Sequence, residues 1–183
     1  MREIDRRGKV SRRVLLRGTA TALPAAALAA AGATINATAA WAQDAKALTP
    51  STMATLAKVA RDIYPHDHIT DIYYIRAVTP WDAKAAGDPA VKAMLEEGVA
   101  RLDSDAQDRH GVPYMQLGWE DDRVALLRGM EQSKFFKAVR SDLVVSFYNQ
   151  HDLWPKFGYE GSSAEHGGYI HRGFDDIDWL QQS

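Results

Sequence analysis

Between residues 50 and 147, apolar side chains recur at every third or fourth position in four separate segments. This spacing places them on one face of an α-helix, and the chain has no convincing run of the two-residue alternation that marks a half-buried strand. Thr49-Pro50 gives the first segment a hydroxyl N-cap and a proline at its first helical position, and Tyr64-Pro65 ends it. The pattern predicts a mainly α protein, folded as a small helical bundle.

Three further helices have recognisable boundaries. Asp88-Pro89 opens the second helix, and Gly111-Val112-Pro113 closes it. The third helix is expected over about residues 120–130, and the fourth starts at the Ser133 cap. Together with the first, these helices make a domain of four main elements.

Residues 65–87 lack a helical period of comparable length. We expect an irregular region there, with a short helix through Ile69–Ala77. The side chains expected to face the core share the helical spacing described above; they are Met53, Leu56, Val59, Ala60, Ile63, Val91, Met94, Leu95, Val99, Leu102, Val124, Leu127, Met130, Phe135, Phe136, Val139, Leu143 and Phe147.

The N-terminus has the features of a bacterial twin-arginine signal. Ser11 is followed by Arg12 and Arg13, an apolar stretch and a further arginine, and the segment Gly18–Gln43 contains no charge. It ends in Ala40-Trp41-Ala42, a small-x-small pattern that signal peptidase recognises before Gln43. We therefore expect export to the periplasm by the route that carries folded proteins, with Arg12, Arg13, Ala40 and Ala42 as the export-signal residues.

A permanent membrane helix is the alternative interpretation of the same segment. Its length is sufficient for the roughly 20 residues that span a bilayer. Pro24, Gly32 and Asn36 interrupt it, however, and alanine is a weak driver of insertion. A signal sequence over residues 1–42 is the favoured interpretation, and an uncleaved signal that serves as a membrane anchor remains open.

Charge is divided unevenly along the chain. Residues 1–42 carry seven basic and two acidic side chains, a net charge of +5, and the rest of the chain carries 15 basic and 22 acidic ones, a net charge of −7. An acidic body argues against nucleic-acid binding, which depends on clustered Lys and Arg. The chain has no cysteine, which excludes disulfides, thiolate nucleophiles and thioether attachment of haem.

The helical period is lost from Tyr148 onward. Residues 148–183 contain seven large aromatic side chains and five glycines, so this tail is too apolar to be disordered and too irregular to be a helix. We expect it to lie against the bundle or against another chain. The predicted organisation is a signal sequence (1–42), a helical domain (43–147) and an irregular C-terminal docking segment (148–183).

Two histidine clusters are candidate metal sites. His66-Asp67-His68 would need further ligands, such as His166 or His171, because two histidines at this spacing diverge. A loop-stabilising role after the helix stop is the favoured interpretation. Gly167-Gly168 indicates positive φ or close backbone approach, which serves a tight turn as readily as a ligand.

The remaining polar motifs do not complete a catalytic set. The acidic run Asp175–Asp178 lacks the glycine and terminal glutamate of an EF-hand calcium loop. It is expected on a solvated surface or docked onto a basic patch. No nucleophile elbow and no phosphate-binding glycine loop occurs in the sequence. We expect the chain to be inactive alone.

Several blocks near the C-terminus stand out together: Phe147-Tyr148, Gly158-Tyr159-Glu160-Gly161, Gly167-Gly168-Tyr169 and Gly173-Phe174-Asp175-Asp176-Ile177-Asp178-Trp179-Leu180. They resemble the C-terminal signature of the gluconate 2-dehydrogenase subunit 3 family. The twin-arginine start, the helix end at Ile63-Tyr64-Pro65 and the Phe135-Phe136 segment match in the same order. The resemblance covers roughly residues 50–180, and its specific part is the tail.

The resemblance implies a non-catalytic small subunit of a membrane-associated periplasmic dehydrogenase. In such assemblies a large subunit holds FAD and oxidises a sugar acid, sugar or alcohol, and a cytochrome c subunit passes the electrons on. The small subunit holds no cofactor; it supplies the twin-arginine signal for the large one. The expected partner-binding residues are Tyr148, Trp154, Tyr159, Gly161, Gly167, Gly168, Tyr169, Phe174, Asp175, Asp176 and Trp179.

Two other classes of function remain open from the residues themselves. The chain would be a stand-alone exported enzyme if its histidines and tail acids held a metal or an organic cofactor. It would be an unrelated exported binding protein if the tail served a partner outside electron transfer.

Overall fold

The computed structural model describes residues 40–172. Within this range the chain forms α-helices and turns and no strand, which confirms the predicted mainly α bundle with an irregular tail. One compact unit begins at Ala42. Its elements are α1 (Pro50–Ile63), α2 (Asp71–Val78), α3 (Pro80–Gly87), α4 (Pro89–His110), α5 (Glu120–Gly129) and α6 (Lys134–Ser146), with 3-10 turns at Tyr114–Gln116 and Trp154–Phe157.

The helix caps follow the sequence signals closely. The Thr49 hydroxyl accepts a hydrogen bond from the backbone N–H of Thr52 at 3.1 Å, and Tyr64 is the C-cap of the same helix. Ser133 caps α6 in the same way, through the N–H of Phe136. Gly111 ends α4 with a φ of 74°, a left-handed conformation that glycine adopts without steric cost. The predicted boundaries of these helices are confirmed.

The prediction for residues 65–87 is wrong in its second half. The chain forms two short helices there, α2 and α3, which meet at Thr79. Thr79 itself has helical dihedrals, and Pro80 sits at the first position of α3. Helix α3 has only two buried anchors, Trp81 and Ala85. Two apolar positions are too few to show a period, which is why the sequence pattern did not reveal this helix.

Helix α1 is the central element of the bundle. It packs against α2, α4, α5 and α6, and Met53, Leu56 and Val59 are at most 1% exposed. The cores of α4 and α6 add Leu95, Leu102, Val139 and Leu143 to the same interior. Between residues 40 and 172, no helix combines the length and the apolar character needed to cross a bilayer.

Five side chains expected in the core are only half-buried. They lie at the edges of their apolar stripes, where an open groove takes the place of a neighbouring helix; they are Ile63, Val91, Met94, Val124 and Phe136. Helical spacing identifies the inward face but not how far the covering elements extend along it. The bundle therefore keeps apolar surface open along α4, α5 and α6.

Candidate partner-binding surface

The first part of the tail folds back onto the bundle. Phe147 is fully buried and stacks on Tyr74, with 4.5 Å between the ring centroids. The Tyr148 hydroxyl lies 2.8 Å from Nε2 of His66, and the indole N–H of Trp154 donates to the Tyr148 carbonyl at 2.9 Å. The tail is thus fixed to the loop that follows α1, and Leu153 is completely buried beneath it.

His66 is the aromatic centre of this junction. Its ring meets Phe157 at a centroid distance of 4.9 Å and Tyr148 at 5.7 Å, both at steep interplanar angles. Burial lowers the pKa of His66, and the nearby positive charges of His68 and Arg61 lower it further. The lowered pKa favours a neutral imidazole at neutral pH, and the His66 ring packs between the loop and the tail.

An open apolar groove of about 720 Å³ lies between the end of α6 and the returning tail. Val144 and Val145 from the outer face of α6 form one side, with 53% and 63% of their surface exposed. Tyr159 is 48% exposed and packs edge-on against Trp154 on the other side. Scattered exposed apolar residues are ordinary, whereas a contiguous apolar groove is a candidate interaction site. The remaining lining residues are Tyr148, Asn149 and Phe157.

The groove continues into a basic surface along the same helix. Arg140 and Lys137 lie one and two turns before Val144 on α6, and both are exposed. With Arg128 of α5 they border a second groove of about 510 Å³, whose lining also includes Glu131 and the buried Asp62. Surface that is apolar at one end and basic at the other is complementary to a partner segment carrying apolar and acidic side chains.

The structure brings together three of the predicted partner-binding residues: Tyr148, Trp154 and Tyr159 line the apolar groove. Gly161 is buried at a φ of 110° beside Trp154. Gly167 and Gly168 form a tight turn with φ of 79° and 81°, as their sequence pattern indicated.

The other predicted residues are placed less centrally or lie outside the described range. Tyr169 is 64% exposed, beyond the groove. Ala40 is exposed, whereas Ala42 is fully buried. Residues 40–172 do not include Arg12, Arg13, Phe174, Asp175, Asp176 and Trp179.

Sequence reasoning missed Val144 and Val145, which form the helical side of the groove. The signal was present: Leu143-Val144-Val145 is a run of three consecutive apolar residues, and a helix cannot turn all three toward one core. Leu143 takes the inward position. Val144 and Val145 consequently lie on the outward face of α6.

A buried ion pair was also missed. Arg123 donates two parallel hydrogen bonds to Asp62, at 2.8 and 2.9 Å, and Tyr114 donates to the same carboxylate at 2.6 Å. Burial alone would lower the pKa of Arg123, but the hydrogen bonds and charge of Asp62 outweigh it and raise that pKa. Burial, followed by the charge of Asp62, raises the pKa of the Tyr114 phenol. All three side chains are thereby paired and fixed in place.

This network joins elements distant in sequence. Asp62 is near the end of α1, Tyr114 lies in the 3-10 turn, and Arg123 lies in the first turn of α5. Arg123 also donates to the carbonyls of Leu117 and Gly118. Every contact is made within the fold, so the network reads as an internal brace of the bundle.

His166 of the tail is engaged by a backbone group. Nε2 of His166 lies 2.9 Å from the Glu160 carbonyl oxygen. Among residues 40–172, no three His, Asp or Glu side chains converge as a metal site would require.

Comparison with protein-family models, curated proteins and solved structures finds no match to this chain.

Proposed function

We propose that this protein is the non-catalytic small subunit of an exported FAD-dependent dehydrogenase. The apolar groove of Val144, Val145, Tyr148, Trp154, Phe157 and Tyr159 carries the proposal. It is bound by the large flavoprotein subunit, which holds the FAD and oxidises a sugar acid, sugar or alcohol. This chain contributes the twin-arginine signal of residues 1–42 and stabilises its partner, and a membrane-associated cytochrome c subunit takes up the electrons.

The chemistry of the groove supports a protein partner. Tyr and Trp are enriched at protein interfaces because they bury a large area while their polar atoms keep hydrogen bonds. The polar atoms of Trp154 and Tyr148 are already hydrogen-bonded within the chain. A partner can therefore cover their rings without leaving a buried polar atom unpaired. A stable complex buries roughly 1,200 Å² or more in total, and the basic groove beside Arg140 extends the surface available for it.

Export in the folded state fits this role. FAD must be bound before the large subunit leaves the cytoplasm, since the cofactor is loaded there. A partner without its own signal can then cross the membrane only when it is docked on a subunit that has one. A pre-formed groove on a rigid bundle is suited to that docking, because little order has to be created on binding.

Affinity purification tests the groove. The tagged chain is purified from native membranes, and the copurified protein is measured by flavin absorbance and mass spectrometry. Val145→Glu places a charge in the groove and is expected to lower flavin recovery at least tenfold, since a central interface residue contributes about 2 kcal/mol or more. Ile72→Glu is the matched control because Ile72 is an exposed aliphatic residue outside the groove, 46% accessible.

The same preparation separates the proposal from its alternatives. Wild-type protein is expected to carry flavin only through its partner and to show no turnover when purified alone. Equal flavin recovery with Val145→Glu and Ile72→Glu would remove the groove from the proposal. Substrate oxidation by the isolated chain would favour a stand-alone enzyme.

A further inference from the structure

The expected signal-peptidase site lies at the edge of the folded domain. Residues 40–42 are helical, and Ala42, the residue before the bond to be cut, is 0% exposed. The carbonyl of Ala42, which the peptidase must attack, accepts a hydrogen bond from the N–H of Ala45 at 3.2 Å. Proteins that bind a peptide through its backbone take it as an extended strand. Ala42 is thus helical, buried and hydrogen-bonded through its carbonyl, rather than extended as in such complexes.

A carboxylate holds the chain just beyond this site. Asp82 of α3 accepts hydrogen bonds from three consecutive backbone N–H groups, those of Lys46, Ala47 and Leu48, each at 2.9 Å. Burial would raise the pKa of Asp82, but these N–H donors outweigh it and the pKa is lowered. The carboxylate is consequently ionised at neutral pH and keeps all three bonds charge-assisted.

A second acidic residue, Glu96, holds the next part of the chain, and we call Asp82 and Glu96 together the clamp. Glu96 of α4 accepts from the N–H of Thr49 at 2.9 Å and from the hydroxyl of Thr52 at 2.5 Å. Leu48, between the two carboxylates, is 4% exposed. Residues 46–52 are thus tied to α3 and α4 by side chains, and the segment from Ala42 onward belongs to the domain.

We propose that the folded domain protects the Ala42–Gln43 bond from signal peptidase, so that the exported protein keeps residues 1–42 and uses the uncharged stretch 18–41 as a membrane anchor. The inference rests on the proposed export. Its physical basis is the order of events on the twin-arginine route: the domain folds first, so the clamp already exists when the chain reaches the outer side of the membrane. The stretch is long enough to span a bilayer.

Intact mass and membrane fractionation of the full chain, exported from a bacterium with a working twin-arginine system, test the inference. The wild type is expected in the membrane fraction at about its full 20.3 kDa. Combining Asp82→Asn with Glu96→Gln removes the charges that hold residues 46–52, and a chain beginning at Gln43 is expected to appear. Asp105→Asn replaces a carboxylate that is 36% exposed and is expected to stay full length.

A second variant leaves Asp82, Glu96 and residues 46–52 unchanged. Insertion of about ten Gly and Ser residues between Ala42 and Gln43 separates the peptidase site from the clamp by a flexible linker. We expect this chain to be cleaved after Ala42 and released from the membrane.

Each outcome is distinguishable. A wild-type periplasmic protein that begins at Gln43 overturns the inference and leaves export standing. Full-length protein from the wild type, the double variant and the linker variant alike also overturns it, because protection would then not come from the clamp. Retention of the wild type in the cytoplasm overturns the proposed export and this inference with it.

Discussion

The carboxylate of Asp62 binds Arg123 and Tyr114 in the interior of the bundle, where Asp62 and Arg123 are 6% and 7% exposed. A paired buried charge adds little net stability over an apolar core, but removing one partner leaves the other buried and uncompensated. The network is therefore a point at which single substitutions have large effects. It also fixes the relative position of α1 and α5.

Arg123→Met is expected to lower the free energy of unfolding by about 3–5 kcal/mol, because Asp62 is left buried without its cation. Arg128→Met, on the exposed side of the same helix, is expected to change it by less than about 0.5 kcal/mol. Urea unfolding followed by circular dichroism measures both. Equal stability of the two variants would contradict the bracing role of Arg123.

The lowered pKa of His66 predicts a pH dependence of the tail's attachment. Because the folded form disfavours the imidazolium, the unfolded chain binds more protons as the pH falls below about 6.5, and stability is lost from there down to the folded pKa. His66→Gln, which cannot titrate, is expected to abolish this part of the dependence, whereas exposed His110→Gln keeps it. Proteolysis of the tail between pH 7.5 and 5.5 measures it, and identical profiles for all three proteins would exclude His66 as the titrating group.

Helices α4 and α6 pack closely at Gly98, which has no side chain to collide with Phe135. A Cβ built on Gly98 would lie 2.3 Å from the Phe135 ring and 2.7 Å from the Phe135 Cβ, too close for the aromatic side chain to yield. Gly87, near the end of α3, has no atom within 4 Å of the corresponding position. The two glycines thus differ in what a methyl group would meet.

Gly98→Ala is expected to destabilise the protein by about 1–3 kcal/mol through overpacking. Gly87→Ala is expected to be neutral or to stabilise by up to about 1 kcal/mol, because alanine is the better helix former. Thermal unfolding of the two variants checks the difference. A Gly98→Ala protein as stable as the wild type would show that the contact with Phe135 does not limit the crossing.

The helices were predictable from sequence where a cap and a long apolar stripe coincided, as at Thr49-Pro50, Asp88-Pro89 and Ser133. Helix α3 was not, because its two buried residues are too few to establish a period. The sequence gives only a weak indication of the buried ion pair. Arg123 precedes the core residue Leu127 by four positions and therefore lies on the same face of α5. The acidic partner of Arg123 could not be predicted, because it depends on how α1 and α5 pack, and no local sequence pattern encodes that packing.

Within residues 40–172, three grooves leave apolar side chains uncovered by the helices. Half-buried Val91 and Met94 line one groove, Val124 and Phe136 line the basic one, and the valines of α6 line the apolar one. The sequence predicted three of the groove residues through their place in the aromatic tail. The other side of the groove, Val144 and Val145 of α6, could not be predicted, because only the tertiary fold brings α6 and the tail together.

Charge reversal tests the basic end of this surface. Lys137→Glu combined with Arg140→Glu is expected to weaken flavoprotein binding and to reduce its sensitivity to salt, because an attraction screened by ions is lost. The same reversal at Arg101 and Lys92, on α4, is the control. Copurification at low and high salt measures the effect. An unchanged salt dependence after reversal at residues 137 and 140 would exclude this groove from the interface.

The proposed escort role is tested by measuring in which cell fraction the flavin-bearing large subunit is found. The large subunit is expressed with this chain, without it, and with an Arg12→Lys/Arg13→Lys variant, and the flavin bound to the large subunit is measured in the periplasmic and membrane fractions. We expect exported flavoprotein only when the chain is present and both arginines are intact. Export of the loaded large subunit in the absence of this chain would contradict the proposed function.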